Sequence, residues 1–514
     1  MNLNHINVIA RYEVKLVKRS WLFRIFAILA LLFISAIMLG YQTGIVNRMD
    51  NLWPRIAVSS LMPFCNTYFY NIAQSVIVVF LAGSFLKRDK KLDTAEVIYV
   101  RPMSNADYIV GKTWGIVKVF ITLNIITLLF TAFLNILINK SPFDLFPYLF
   151  YLLTISVPSL LFVLGLSFTA MCILKNQAVT FIVMLGIIGT VFFYLTDTLY
   201  GVFDFFGVNI PAIFSDVTGH ADLRLFLLQR FSYLLAGIGL ISMTIALVKR
   251  LPHKPWKIAV VYTFSSLFLL AACLGGLLYI LHYNHQLDLR HQYIMTFDKY
   301  ADVPHVDLLV NDISVTPQGY RLAGKSTVKV ANNNAKPLDK IIFYLNPELT
   351  VTSVEMAGKN LLFRRDHQVI EVDQPIQQQE ELTLTINYEG KISENICYTD
   401  VLTEDYLDTK VPQVFWRFGK RYAWLSNTFT LLTPECIWYP VTIAPVNPGA
   451  PYNVRKNFTD YTLTVHYEGD KTVLSQGKSK IDGSVITFTN TSALPGISLT
   501  IADYDKKALR VDST

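Results

Sequence analysis

Three groups of residues in this 514-residue chain are of types that could do chemistry. The densest is the charged stretch from Lys87 to Lys112, which holds Arg88, Asp89, Asp93, Thr94, Glu96, Arg101, Pro102, Ser104, Gly111 and Lys112. Part of it, Ala106 to Thr113, fits the phosphate-loop pattern G-x-x-x-x-G-K-[ST] except at its first position. Nucleotide binding there is rejected. A phosphate loop needs glycines so that successive N–H groups can curl round the phosphates, and it must follow a buried strand. Here Tyr108, Ile109 and Val110 fill the loop, and an apolar run begins right after it. The second group, His282, His285 and His291, lacks a carboxylate or thiol at ligand spacing and a fixed scaffold, so no metal is expected. The third is Cys397 and Cys436, which could pair as a disulfide or stay as two separate buried thiols. Cys65, Cys172 and Cys273 lie in or beside apolar runs and read as small core residues.

The elements that carry these groups follow from composition. With 52% hydrophobic and only 16% charged residues the chain is too apolar for an ordinary soluble protein, and the excess lies almost wholly before His282. A bilayer's hydrocarbon core takes about 20 apolar residues per helix. Seven runs qualify: Leu22 to Tyr41, Tyr68 to Leu86, Gly115 to Ile138, Phe146 to Leu174, Ala178 to Tyr200, Leu225 to Val248 and Ile258 to Leu281. The loops on the N-terminal side carry about fifteen Lys and Arg against about five on the other, which orients the N-terminus to the cytoplasm and everything after His282 outside. These dispersed charges, rather than a basic patch, account for the net charge of +7, and nucleic acid is not expected as a partner. Residues 1–20 intersperse Arg11, Lys15, Lys18 and Arg19 with Ile6, Ile9, Ala10, Val14, Leu16 and Val17. This suits a basic amphipathic helix in the cytoplasmic interface, the plainer alternative being a cytoplasmic tail.

No Asp or Glu sits in the middle of a run; Asp144 and Asp197 are at ends, and Arg24, Lys118 and Arg230 are read as snorkelling to an interface. Coupling of transport to ions by the bundle itself is therefore not expected. Asn71, Gln74 and Asn124 either line a path or hydrogen-bond helix to helix. In the 87–112 stretch, Leu92, Ala95, Glu96 and Tyr99 share a helical face, Pro102 breaks that helix, and Ser104 can cap the next.

The charged cluster after the second run, the Thr94-x-Glu96 step, the Arg101-Pro102-x-Ser104 turn and Gly111-Lys112 before the third resemble the membrane subunits of type-2 ABC exporters. The resemblance covers about residues 5–250. It implies that Arg88, Asp89, Asp93, Thr94, Glu96, Arg101, Pro102, Ser104, Gly111 and Lys112 form a loop that docks on a separate ATP-hydrolysing subunit; otherwise the loop is solvated and sets topology. It also implies a second membrane half, a copy of this chain or a related one. A seventh run, within 251–282, departs from the six-span pattern of 21–250.

From about Val306 the apolar period becomes two: Leu322, Gly324, Ser326, Val328 and Val330; Leu382, Leu384, Ile386 and Tyr388; Tyr461, Leu463, Val465 and Tyr467. After a linker over 283–303, residues 304–514 are read as an all-β antiparallel sandwich or saddle, so that the fold class is an α-helical polytopic membrane bundle followed by that domain. The segments Ile341 to Pro347, Leu382 to Gly390, Trp438-Tyr439-Pro440 and Tyr461 to Gly477 resemble the N-terminal β-domain of gluzincin aminopeptidases, the aminopeptidase N family. Together the two parts resemble bacterial fusions of an ABC permease with an aminopeptidase-like domain. That family's zinc motif H-E-x-x-H does not occur, and neither does its Gly-Ala-Met-Glu-Asn segment; the chain stops at Thr514, about where the catalytic domain is expected to begin.

The expected protein is thus a non-enzymatic permease subunit in the bacterial cytoplasmic membrane. It holds no cofactor of its own, ATP being bound by the partner, and its β-domain sits in the periplasm or outside the cell. The alternatives are a membrane-anchored peptidase-like binding module and the front of a permease and zinc-aminopeptidase fusion.

Overall fold

Apolar residues three and four apart coil the start of the chain into α1 (Leu3–Arg19), whose buried stripe is Ile6, Ala10, Glu13 and Val17. Asn2 caps it by accepting from the Asn4 amide. The computed structural model describes residues 2–43, 59–89, 103–138, 143–196, 198–207, 210, 214–215, 219–220, 222–248, 255–401, 403, 422–446 and 457–504. The chain divides into two compact units between Tyr283 and Asn284, next to the compositional boundary at His282.

In the first unit α1 is followed by α2 (Trp21–Thr43), α3 (Leu61–Asp89), α4 (Asn105–Ile138), α5 (Leu145–Leu174), α6 (Gln177–Leu195), α7 (Leu223–Leu247) and α8 (Pro255–Tyr300), the last running on into the second unit. Among the described residues seven helices, α2 to α8, are long and apolar enough to cross a membrane. A short hairpin, β1 (Phe214–Ser215) with β2 (Gly219–His220), precedes α7. Helix α4 starts ten residues before the run read from the sequence, because Ser104 and Asp107 cap it reciprocally. Both α5 and α6 contain a π turn, at Leu152–Ser156 and Val191–Leu195. The fifth run was read as continuing to Tyr200, but helix α6 ends at Leu195, and Leu199 and Tyr200 then turn the chain at positive φ. The residues that follow, Phe205 and Phe206 included, pack back into the core of the bundle.

Residues 283–303, read as a linker, are helical as far as Tyr300. Leu289, Tyr293, Phe297 and Tyr300 recur every three or four positions and pack into the second unit's core, so this polar-looking stretch is an amphipathic helix. At its end Lys299 pairs with Asp366 at 2.5 Å, and the Tyr300 hydroxyl donates to Glu371. Those bonds, from Lys299 to the first and from Tyr300 to the second, hold both carboxyls below the usual carboxylate range.

The second unit is β-rich. Its strands are β3 (Asp307–Gln318), β4 (Arg321–Ala331), β5 (Ile341–Tyr344), β6 (Leu349–Met356), β7 (Lys359–Asn360), β8 (Phe363–Asp366), β9 (Val369–Val372), β10 (Glu381–Gly390), β11 (Ala423–Leu425), β12 (Thr430–Leu432), β13 (Asp460–His466), β14 (Thr472–Ser475), β15 (Lys478–Asp482), β16 (Val485–Thr489) and β17 (Leu499–Ala502). They form an eight-stranded sheet, β15-β16-β13-β3-β4-β10-β6-β7, a four-stranded sheet, β11-β12-β17-β14, and a three-stranded sheet, β5-β9-β8. The alternation behaves as read: Leu322, Val328 and Val330 of β4, Leu384, Ile386 and Tyr388 of β10, and Tyr461, Leu463 and Val465 of β13 are buried. Gly324 lies opposite Tyr388 and leaves its ring the room that a Cβ would occupy.

One pairing departs from the antiparallel expectation. Strands β3 and β13 run parallel, with Leu463 level with Ile313. A parallel pair needs a connection of roughly a dozen residues or more, and these two strands are separated by most of the unit, so no hairpin constrains them.

Candidate functional site

Of the ten residues predicted to couple to a partner, Arg88 and Asp89 belong to the last turn of α3, and their side chains lie outside the described residues. Asp93, Thr94, Glu96, Arg101 and Pro102, with the short helix expected around Leu92 to Tyr99, lie outside them altogether. Ser104 caps the start of α4, and Gly111 and Lys112 lie about two turns along it, packed against α1.

This junction is built from both helices. The Ser104 hydroxyl accepts from the Asp107 amide at 3.1 Å, and the Asp107 carboxylate accepts from the Ser104 amide at 3.1 Å. Its other oxygen accepts from the Asn2 amide at 2.8 Å, so one carboxylate serves the beginnings of both helices. Gly111 and Gly115 let α1 approach closely: a Cβ on Gly111 would lie 2.8 Å from the Ile9 Cβ, and one on Gly115 would lie 2.7 Å from the Glu13 Cβ and 2.8 Å from the Ala10 carbonyl oxygen. Between them the Lys112 ammonium lies 3.7 Å from the Glu13 carboxylate, both side chains almost fully buried. Asn105 extends the junction by donating to the Val248 carbonyl at the end of α7. The N-terminal helix therefore has two faces, one seated on α4 and one exposed with Arg11, Lys15, Lys18 and Arg19.

Overpacking this seat has a definite expected outcome. Gly115→Val forces its side chain against the Ala10 backbone, which cannot rotate away, at a cost of about 1–3 kcal/mol. Trypsin cleavage at Arg11 and Lys15 is expected to become faster than in the parent protein, while cleavage in the β-rich unit is unchanged.

A second constellation lies inside the bundle, and here the sequence reading is corrected. Arg230 does not snorkel: it is 1% exposed, with its guanidinium held by the Asp204 carbonyl at 2.6 Å, the Phe205 carbonyl at 3.1 Å and the Gln229 side chain at 2.6 Å. The fork geometry of a guanidinium suits this task, since two parallel N–H groups reach two successive carbonyls. Gln229 donates to the carbonyls of Gly201 and Asp204, both at 3.0 Å. Asp204 is itself fully buried and accepts from the Gly207 amide at 3.0 Å. Charged groups therefore do sit inside this bundle, contrary to the expectation from the runs alone. Asp204 escaped notice because it lies in a loop that only the fold carries inward, and Arg230 because its spacing from the end of the run is compatible with snorkelling.

Asn71, Gln74 and Asn124 join helices. Asn71 donates to Ser159 at 2.9 Å and to the Phe206 carbonyl at 2.6 Å, Gln74 donates to Asn71 within α3 and to the Ser156 carbonyl of α5 at 3.4 Å, and Asn124 donates to Ser156 at 2.8 Å.

In the second unit, Arg290 is buried, and its two terminal nitrogens donate to the carbonyls of Asn395, Cys397, Tyr398 and Val401 at 2.8–3.1 Å. Cys397 and Cys436 are buried free thiols whose pKa values burial pushes up; Cys436 donates to the Thr433 carbonyl. Among the described residues no three His, Cys, Asp or Glu side chains are grouped to hold a metal ion.

No family model matches the chain, and no curated protein does. Similar solved structures include the M1 zinc metallopeptidase from Deinococcus radiodurans, at 16% identity over 38% of this chain and 42% of that one, with a TM-score of 0.29. Another is the native yeast LTA4 hydrolase, at 13% identity over 38% of this chain and 29% of that one, with a TM-score of 0.26. The chain thus spans less than half the length of either of these proteins.

Proposed function

We propose that this chain is the membrane subunit of an ATP-driven exporter of the ABC type, and that a separate cytoplasmic ATPase docks on the 87–112 stretch. The observation that carries this reading is the α1–α4 junction. The stretch is held at one end by the last turn of α3 and at the other by a helix start that Asp107, Gly111, Lys112 and Gly115 fasten to α1. A push on a segment anchored in this way passes into two helices at once, as a coupling element requires.

In this reading the chain has no catalytic residues and no cofactor of its own, ATP being bound by the partner. It works with a second membrane half, identical or related, in the lipid bilayer of a bacterial cytoplasmic membrane, with the N-terminus in the cytoplasm and the β-rich unit outside, where that unit handles substrate or partners. The test is co-purification. Charge reversal of Arg88, Asp89 and Glu96 together is expected to lower recovery of an associated ATP-binding subunit at least tenfold, about 1.4 kcal/mol or more of docking free energy. Undiminished recovery would show that the ATPase does not dock there.

A further inference from the structure

Helix α4 carries Asn124, Thr127, Thr131 and Asn135 at spacings of three, four and four, which aligns them on one face. All four are buried, and so are Asn66 and Thr67 of α3. Thr131 lies 3.3 Å from the Asn66 side-chain oxygen, and Asn124 donates to Ser156 in the π turn of α5, so the stripe forms a seam where α3, α4 and α5 meet. Much of its hydrogen-bonding capacity is used within helices, Thr127 donating to the Asn124 carbonyl and Thr131 to the Thr127 carbonyl. The rest is not: the Asn66 amide nitrogen and the Asn124 amide oxygen are buried with no hydrogen-bond partner among the described residues. Buried donors and acceptors without a protein partner mark places where water or a ligand completes the bonding, and π turns recur at such sites.

We propose that this seam is an internal site for water and other small uncharged hydrogen-bonding solutes. Its side chains are amides and hydroxyls, which match neutral donors and acceptors and offer no counter-charge to an ion. The proposal rests on the reading of the bundle as embedded in lipid.

Cysteine reactivity tests it at constant depth. Only the thiolate attacks a methanethiosulfonate, expelling sulfinate as the disulfide forms, and a thiolate forms only where water reaches. The full chain, with its native cysteines changed to alanine, is placed in phosphatidylethanolamine and phosphatidylglycerol vesicles carrying Thr127→Cys, Thr131→Cys, Leu129→Cys or Phe133→Cys. Leu129 and Phe133 alternate with the threonines along α4 but are 63% and 58% exposed on the outer face of the bundle. Neutral methyl methanethiosulfonate is expected to modify positions 127 and 131 at least ~tenfold faster than 129 and 133. The trimethylammonium-ethyl reagent is expected to show no such preference. Four equally slow positions would mean a dry seam and overturn the proposal while leaving the membrane reading intact. Four equally fast positions would overturn the membrane reading and the proposal with it. Equal preference for the cationic reagent would overturn the restriction to uncharged solutes. If a threonine variant does not fold, Asn124→Cys against Ile126→Cys makes the same comparison.

Discussion

Arg290→Ala is expected to lower the unfolding temperature of the β-rich unit by roughly 10 °C, the equivalent of about 3–4 kcal/mol in a unit of this size. The guanidinium is almost fully buried, and both of its terminal nitrogens are committed to four backbone carbonyls of the 395–401 turn. Truncation leaves those oxygens without their charged donor and empties the space of a large, fully buried side chain, so lost bonds and lost packing act in the same direction. Arg290→Lys keeps the charge but not the fork and should recover only part of the stability. Removal of the exposed Lys299 partner of Asp366 should change little, since surface pairs contribute weakly. Cys397 and Cys436 provide the measurement: as buried thiols they become reactive when the unit opens, and the midpoint of their labelling on heating in reductant, read by mass spectrometry, reports the transition. An unchanged midpoint for Arg290→Ala would show that the turn holds without it.

Arg230→Leu should free the segment from Gly201 to Gly207. The substitution leaves the Gln229 side-chain oxygen without the Arg230 donor and takes the charged donor from the Asp204 and Phe205 carbonyls, which keep their bonds from Gln229 and Ser159. An unsatisfied buried acceptor costs about 1–3 kcal/mol. With a loss of about 3 kcal/mol, the amides of Asp204 and Gly207, which bond to Gly201 and Asp204, should exchange their hydrogens roughly a hundredfold faster. Amides of β4 and β10 serve as the internal reference and should keep their rates. Leucine also leaves empty the space beside Gly207, whose φ of +73° and close approach to the guanidinium suit a glycine. A variant in which exchange at Asp204 and Gly207 stays at the parent rate would show that the aromatic packing of Phe205 and Phe206 holds the segment without the arginine.

Much of this architecture is legible in the chain itself. A run such as Trp21 to Gly40 is so apolar that helix follows from length and composition, and the two-residue period of β4, β10 and β13 names their buried faces directly. The cap at Ser104 was legible too, because a capping box is a local pattern. The helical recurrence of Leu289, Tyr293, Phe297 and Tyr300, at spacings of four, four and three, was present but masked by the histidines and charges around it, which made α8 look finished at Leu281. The polar stripe of α4 was equally present, though only Asn124 stands out when residues are weighed one at a time.

The sequence by itself determined seven apolar helices, a β-rich remainder and the boundary between them at His282, because apolarity and period are properties of neighbouring residues. Tertiary structure alone decided that Arg230 is held inside the bundle, that Arg290 anchors a turn a hundred residues away, that Glu13 neutralises Lys112, and that β3 and β13 run parallel. Each of these depends on a carbonyl, a charge or a strand edge supplied by a distant segment. A residue's type states what it can bond to, and only the fold states what is within reach.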